Sequence, residues 1–406
     1  MIAVTELYCS RSRPNGAQPA DIPPFTVSRK PVVVWNATRT CNLNCSHCYS
    51  DARPRACPGE LTTAEACAMI EDLAQFGVPA LLLAGGEPLM RADLPELIAY
   101  ARDRGLRLVL LTNGTLVTAA VAARLKRSGV GYVDISLKGF NPARDRFRGE
   151  LGAQEAALAG IRNCAEVGQR VGIRVTLRKQ NHQDLDAIFD FLEREKIGRV
   201  CFHHVVYAGR GNNPRGDDLS HPETRQALDL ILRRADDLHR RGLNVEVFTG
   251  DNHVDGVYLY LKSARRDPVH AAQVYRTLAR RGGGRYGAGV GIGNIDAQGN
   301  VHPDQFWSHH TLGNIRRRPF SQIWTDLSDP LMRGLRNPLP LLKGKCAKCL
   351  WKPVCGGSLR VRAEKVYGDP WMHDPACYLS QHEVSRETSG HAGTLEEDVL
   401  LEERAA

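Results

Sequence analysis

The chain has 406 residues, 42% of them hydrophobic and 24% charged, which excludes a wholly disordered protein and allows one large core plus an appended module. No apolar run approaches the roughly 20 residues of a bilayer span and no signal core opens the N-terminus, so a cytoplasmic protein without a membrane span is expected. The net charge of +9 comes without a Lys/Arg block interleaved with aromatics, so no nucleic-acid partner is expected.

Residues 1–30 carry Pro14, Pro19, Pro23 and Pro24 without periodicity and read as an irregular N-terminal arm. Six short β-branched runs then alternate with helical patterns: 32–35, 80–83, 108–111, 132–136, 173–177 and 200–206. Helices are expected near 63–76, 94–104, 116–127, 153–167 and 183–194, with Thr62 or Thr63 and Asp93 as N-caps, followed by a long one near 222–241. Strand–helix alternation means a parallel sheet, and right-handed crossovers bring the loops after the strands to one rim. Gln298-Gly299-Asn300 reads as a hairpin turn. The expected division is an arm at 1–30, a partial (β/α)6 TIM-like barrel at 31–245, a connecting segment at 246–295, a cysteine-bearing module at 296–382 and a flexible acidic tail at 383–406.

Twelve cysteines in a cytosolic chain point to metal where they cluster and to core packing where they do not. Cys41, Cys45 and Cys48 form a CxxxCxxC triplet in the loop after the first strand, followed by Tyr49. Three thiolates leave one iron of a 4Fe-4S cluster open for a ligand, whereas structural zinc wants four closed ligands, which would require His47 to join. Ala84-Gly85-Gly86-Glu87-Pro88 ends the second strand, and its glycines let backbone approach a ligand closely. Thr112-Asn113-Gly114 closes the third strand as a turn.

The triplet with its aromatic follower and the strand–helix alternation resemble the radical S-adenosylmethionine (SAM) superfamily. That resemblance implies a partial (β/α)6 barrel and a cluster whose open iron chelates SAM. It also implies SAM contacts from Tyr49, Gly85, Gly86 and Glu87, with Ser136 at the end of the fourth strand and Arg148 in the following Phe147-Arg148-Gly149 stretch. An arginine fork suits the methionine carboxylate, and a serine hydroxyl suits ribose or carboxylate.

Near the C-terminus Cys346, Cys349, Cys355 and Cys377 could close a second metal site, and spacing alone leaves zinc and iron-sulfur both open. Behind a radical SAM core the arrangement resembles the SPASM/twitch extension, which implies an auxiliary 4Fe-4S cluster. Asp304 and Leu359 stand where the full seven-cysteine form has ligands, so two clusters in all are expected, one SAM-binding and one auxiliary.

From about Val32 to Tyr378 the chain further resembles the haem d1 biosynthesis branch of the superfamily. The resemblance is carried by Val34 to Thr40, Gly209 to Asn212, Thr249 to Asn252, Asn300 to Trp307 and Gly368 to Trp371. It implies removal of propionate side chains from a didecarboxysirohaem-type iron tetrapyrrole, with an electron donor such as flavodoxin or ferredoxin. A haem synthase acting on iron-coproporphyrin and a SPASM-type peptide maturase are the alternatives. A polyanionic ring needs cations, so Arg210, Arg215, His203 and His204 are the candidate substrate residues.

Overall fold

The computed structural model describes residues 1–9, 30–46, 48–139, 149–211 and 216–385. Its strands are β1 (Ile2–Ala3), β2 (Val32–Asn36), β3 (Leu81–Ala84), β4 (Leu108–Thr112), β5 (Tyr132–Leu137), β6 (Val171–Thr176), β7 (Arg199–His203), β8 (Glu246–Gly250), β9 (Ile292–Ile295), β10 (Asn300–His302) and β11 (Gly313–Asn314). They form one sheet in the order β1-β8-β7-β6-β5-β4-β3-β2-β9-β10-β11. From β8 to β9 every neighbouring pair is parallel, while β1, β10 and β11 run antiparallel at the two ends.

Six helices make the crossovers: α1 (Thr63–Phe76), α2 (Leu94–Asp103), α3 (Ala119–Arg127), α4 (Ala153–Glu166), α5 (Leu185–Arg194) and α6 (His221–Arg240). Thr62 caps α1 in a full capping box with Glu65. Asp93 sits at the α2 N-cap without capping it, because its carboxylate is held by the Arg91 guanidinium at 2.7 Å and 2.9 Å. On β5, buried Val133, Ile135 and Leu137 alternate with half-buried Tyr132, Asp134 and Ser136. The apolar set packs under the helices and the polar set faces the concave side of the sheet.

The six expected strands are present, and the sheet is longer than the sequence suggested. Glu246–Gly250, expected in the connecting segment, is a seventh parallel strand beside β7, and β9 pairs with β2 on the opposite side. These short runs of mixed polarity carry little periodicity of their own. The expected hairpin at 298–300 joins β9 to β10. The arm is not irregular throughout: Ile2–Ala3 adds to β8, and Leu7 and Cys9 are buried. The prolines that suggested irregularity lie in 10–29, outside the described residues, as do 386–406 of the expected tail. The start of that tail is anchored, since Glu383 pairs with Arg225.

After β8 come α7 (Val254–Ala264), α8 (Pro268–Arg281), α9 (Phe320–Thr325), α10 (Pro330–Arg336), α11 (Lys352–Cys355), α12 (Arg360–Tyr367) and α13 (Gln381–Val384). Trp351 packs among Tyr260 of α7 and Tyr275 of α8, fastening the C-terminal cysteines to the helices beside the barrel.

Candidate active site: a cysteine loop clamped at the barrel mouth

The loop that leaves β2 carries Cys41, Cys45 and Cys48, and its backbone is held from two sides. From the β3 end, Gly86 donates its N–H to Thr38 O at 2.7 Å and Glu87 donates to Thr40 O at 2.9 Å. Gly85 has φ +134°, and a Cβ there would lie 2.4 Å from the Thr38 carbonyl oxygen; at Gly86 it would lie 2.2 Å from that of Thr40. Both glycines are therefore demanded by backbone-to-backbone contact. The Gly85 carbonyl accepts from Ser50 Oγ at 3.2 Å, and that hydroxyl also lies 3.2 Å from Cys48 Sγ.

From the β7 side the clamp is Gly209-Arg210. A Cβ on Gly209, at φ +62°, would sit 2.1 Å from the Cys48 carbonyl oxygen. Arg210 donates to Cys45 O from Nε at 3.0 Å and from Nη2 at 2.8 Å, and from Nη1 to Ala52 O at 2.6 Å and Asp51 at 3.1 Å. The sequence reading gave Arg210 to a substrate carboxylate; its fork is instead spent on the cysteine loop. Arg215, Arg148 and His47 lie outside the described residues.

Two sulfurs receive backbone donors, Cys41 Sγ from Leu43 N and Cys48 Sγ from Ala52 N, both at 3.4 Å. Burial pushes the Cys41 thiol up to about 12 despite the Leu43 N–H, so a bound cation is what would hold it as thiolate. Among the described residues no three Cys, His, Asp or Glu side chains converge tightly enough to hold a single ion. Three thiolates suit an iron-sulfur cluster that keeps one iron open for a ligand.

Glu87 is fully buried and accepts from Thr112 Oγ1 at 2.7 Å, Asn113 N at 2.8 Å and Leu89 N at 3.2 Å. Burial raises its carboxyl above the ordinary value, with these donors opposing. Its side chain thus ties the β3 end to the β4 end rather than facing open space. Tyr49 donates to Asn36 Oδ1 at 3.1 Å and meets the Phe306 ring edge-on at 5.8 Å, linking the cysteine loop to the segment after β10.

On the concave wall, register aligns Ser136 with Arg174 and Arg174 with Cys201. Arg174 donates to Ser136 Oγ at 3.1 Å and lies 3.8 Å from Asp134. Sequence reasoning missed Arg174; the available signal was a lone cation inside the otherwise uncharged strand Val171–Thr176. His203 Nδ1 sits 2.7 Å from Asp251 Oδ2, and although burial opposes it, the neighbouring Cys201 and Asp251 charges raise the imidazole to about 10. His204 belongs to a different place: its Nε2 lies 2.8 Å from buried Asp255, whose other oxygen accepts from Tyr378 at 2.8 Å. That chain fastens the barrel to the Cys377 segment, and His204 also lines a cavity with Tyr207 and Asp218.

Cys346, Cys349, Cys355 and Cys377 line a single cavity together with Gly357, Ser358 and Asp374. Asp374 is buried and paired with Arg362 through two 2.8 Å hydrogen bonds. Arg362 also donates to Val205 O at 2.7 Å and Asp251 O at 2.9 Å, binding this module to the ends of β7 and β8.

The Radical SAM superfamily model matches residues 35–192. The chain belongs to this superfamily, a family of enzymes that use a 4Fe-4S cluster and SAM. It is 51% identical over 396 residues to the Fe-coproporphyrin III synthase of Methanosarcina barkeri, a match covering 95% of this chain and 99% of that protein. It is 45% identical to the pre-heme d1 synthase of Dinoroseobacter shibae, covering 88% of this chain and 89% of the relative. Among solved structures, native anSMEcpe with bound AdoMet superposes with a TM-score of 0.67 at 16% identity, over 86% of this chain and 94% of that one, which shows a shared fold. The chain is accordingly a radical SAM enzyme related to those of haem biosynthesis, with a C-terminal extension of the kind its structural neighbours carry.

Proposed function

We propose that the chain removes carboxylate-bearing side chains from an iron tetrapyrrole. The observation that carries this reading is the 51% identity to an Fe-coproporphyrin III synthase across 99% of that relative, which favours Fe-coproporphyrin III as product. Removal of propionates from a didecarboxysirohaem-type ring for haem d1 is the second reading. It is favoured by the pre-heme d1 synthase at 45% identity and by the Asn300 to Trp307 stretch, whose Phe306 reaches Tyr49 of the cysteine loop.

When bound, the cluster and SAM supply a 5′-deoxyadenosyl radical that abstracts a hydrogen from the substrate. Cys41, Cys45 and Cys48 would hold the cluster, while Gly86, Glu87 and Arg210 keep their loop in place. Tyr49, Gly85 and Ser136 are the candidate SAM contacts, with Gly86 and Glu87 acting through the loop. Arg174 beside Asp134 and His203 beside Asp251 place hydrogen-bond donors on the concave wall, where an anionic ring would lie. Cys346, Cys349, Cys355 and Cys377, within a module at about 296–382, would hold an auxiliary 4Fe-4S cluster, and a flavodoxin or ferredoxin would donate the electrons.

Anaerobically reconstituted protein incubated with SAM, dithionite and didecarboxysirohaem tests this. Fe-coproporphyrin III formed together with 5′-deoxyadenosine supports the first reading, and a pre-haem d1 mass supports the second. 5′-Deoxyadenosine without any change of tetrapyrrole mass overturns both.

A further inference from the structure

Arg360 opens α12 directly behind the four-cysteine cavity and is only 4% exposed. Its Nη1 donates to Pro370 O at 3.1 Å and Met372 O at 2.7 Å, carbonyls of the segment leading to Cys377. Its Nε and Nη2 are buried without a hydrogen-bond partner, making it the one arginine among the described residues with two such orphaned donors. The nearby carboxylate cannot serve them. Asp374 spends both oxygens on Arg362 and accepts from Leu359 N and Ala376 N, both at 3.0 Å, as well.

A buried guanidinium that shares its one neighbouring carboxylate with a second arginine and leaves two donors unmet is poorly compensated, which favours a further anion close by. Besides Asp374, which is shared with Arg362, the charges within reach belong to Cys346 and Cys355. Gly357, at φ +81°, lines the cavity, and the position of its missing Cβ lies 3.2 Å from Cζ and Nη2 of Arg360. The absent side chain leaves room for the guanidinium, beside Leu342, close behind the cavity-lining Gly357.

We infer that Arg360 is the buried counter-ion of the cluster held by Cys346, Cys349, Cys355 and Cys377, its fixed charge and two unpaired donors raising that cluster's reduction potential. The inference rests on the auxiliary-cluster reading given above. An iron-sulfur core in four thiolates is an anion, and reduction adds a further negative charge. A cation fixed beside it in a low-dielectric site favours the reduced state, as do N–H donors aimed at sulfur. Arg362, neutralised by Asp374, contributes far less of this field.

The test is a redox titration followed by electron paramagnetic resonance on the full chain, reconstituted with iron and sulfide, in a Cys41→Ala/Cys45→Ala/Cys48→Ala background that isolates the second cluster. Arg360→Gln removes the charge and is expected to move the midpoint to more negative potential at unchanged iron content. Arg360→Lys keeps a charge but draws its single ammonium toward the Pro370 and Met372 carbonyls, and is expected to give a smaller shift of the same sign. A midpoint equal to that of the parent, in whichever variant retains the cluster, overturns the inference. Absence of any iron-sulfur signal in the background protein instead overturns the auxiliary-cluster reading on which it stands.

Discussion

Arg210 grips the Cys45 carbonyl with two donors of one guanidinium, Nε at 3.0 Å and Nη2 at 2.8 Å, while its own backbone N–H donates to Cys48 O at 3.0 Å. A residue 165 positions away in sequence thus fixes the carbonyls that orient the middle and last cysteines of the triplet. Gly209 makes the approach possible by having no side chain.

Arg210→Ala is expected to lose iron from the first cluster and SAM cleavage together, and to lower stability by about 3 kcal/mol, since hydrogen bonds from a charged donor each contribute about 1.5–3 kcal/mol and do not add fully. Arg210→Lys should rescue little, because an ammonium cannot reproduce the fork. Iron analysis and 5′-deoxyadenosine yield check this. Intact SAM cleavage with weakened tetrapyrrole binding would restore Arg210 to the substrate.

Arg362 and Asp374 should be the most sensitive pair in the C-terminal module. Their side chains are 0% and 1% exposed, and removing one partner of a buried pair costs about 3–5 kcal/mol. Arg362→Met takes from Asp374 its paired guanidinium and frees the Val205 and Asp251 carbonyls, so it should lower the denaturation midpoint. Arg362→Met/Asp374→Asn should recover part of the stability in the same measurement.

The parallel sheet and its crossover helices were legible because Val- and Leu-rich strands alternate with helices that carry their own caps, as Thr62 and Ser220 do. Both cysteine groups were visible as spacing. What sequence could not carry was commitment: Arg210, Glu87 and His204 are polar residues at the rim, and only three-dimensional partners reveal that each is already engaged. Arg174 and Arg362 were overlooked for the converse reason, since a lone arginine in a strand or short helix looks like a solvated one until its burial is known.

His203 titrates in the opposite sense from a free surface histidine. Its folded value of about 10, raised by Cys201 and Asp251 against the cost of burial, lies above the ordinary 6.5, so these neighbours contribute stability that is fully present below pH 6.5 and fades as pH rises toward 10. His203→Asn should remove that alkaline slope in thermal denaturation between pH 7 and 10. It should also weaken tetrapyrrole binding while leaving uncoupled SAM cleavage in place. An unaltered slope would mean that the pair is not protonated in the folded chain.

Asp304 is 4% exposed, and burial raises its carboxyl from 3.8 to about 7. Its Oδ1 accepts from Phe306 N at 2.7 Å, holding the turn that presents Phe306 to Tyr49. Because the folded value exceeds the unfolded one, the folded chain binds more protons between pH 3.8 and 7, and stability falls as pH rises through that window. Asn keeps the acceptor for Phe306 N but carries no charge. Asp304→Asn is therefore expected to flatten this slope and to stabilise the tetrapyrrole-free protein at pH 8, by on the order of 2–4 kcal/mol. Thermal denaturation of both proteins from pH 5 to 8 measures it, and parallel curves would show that the carboxyl is already ionised in the folded chain at pH 5.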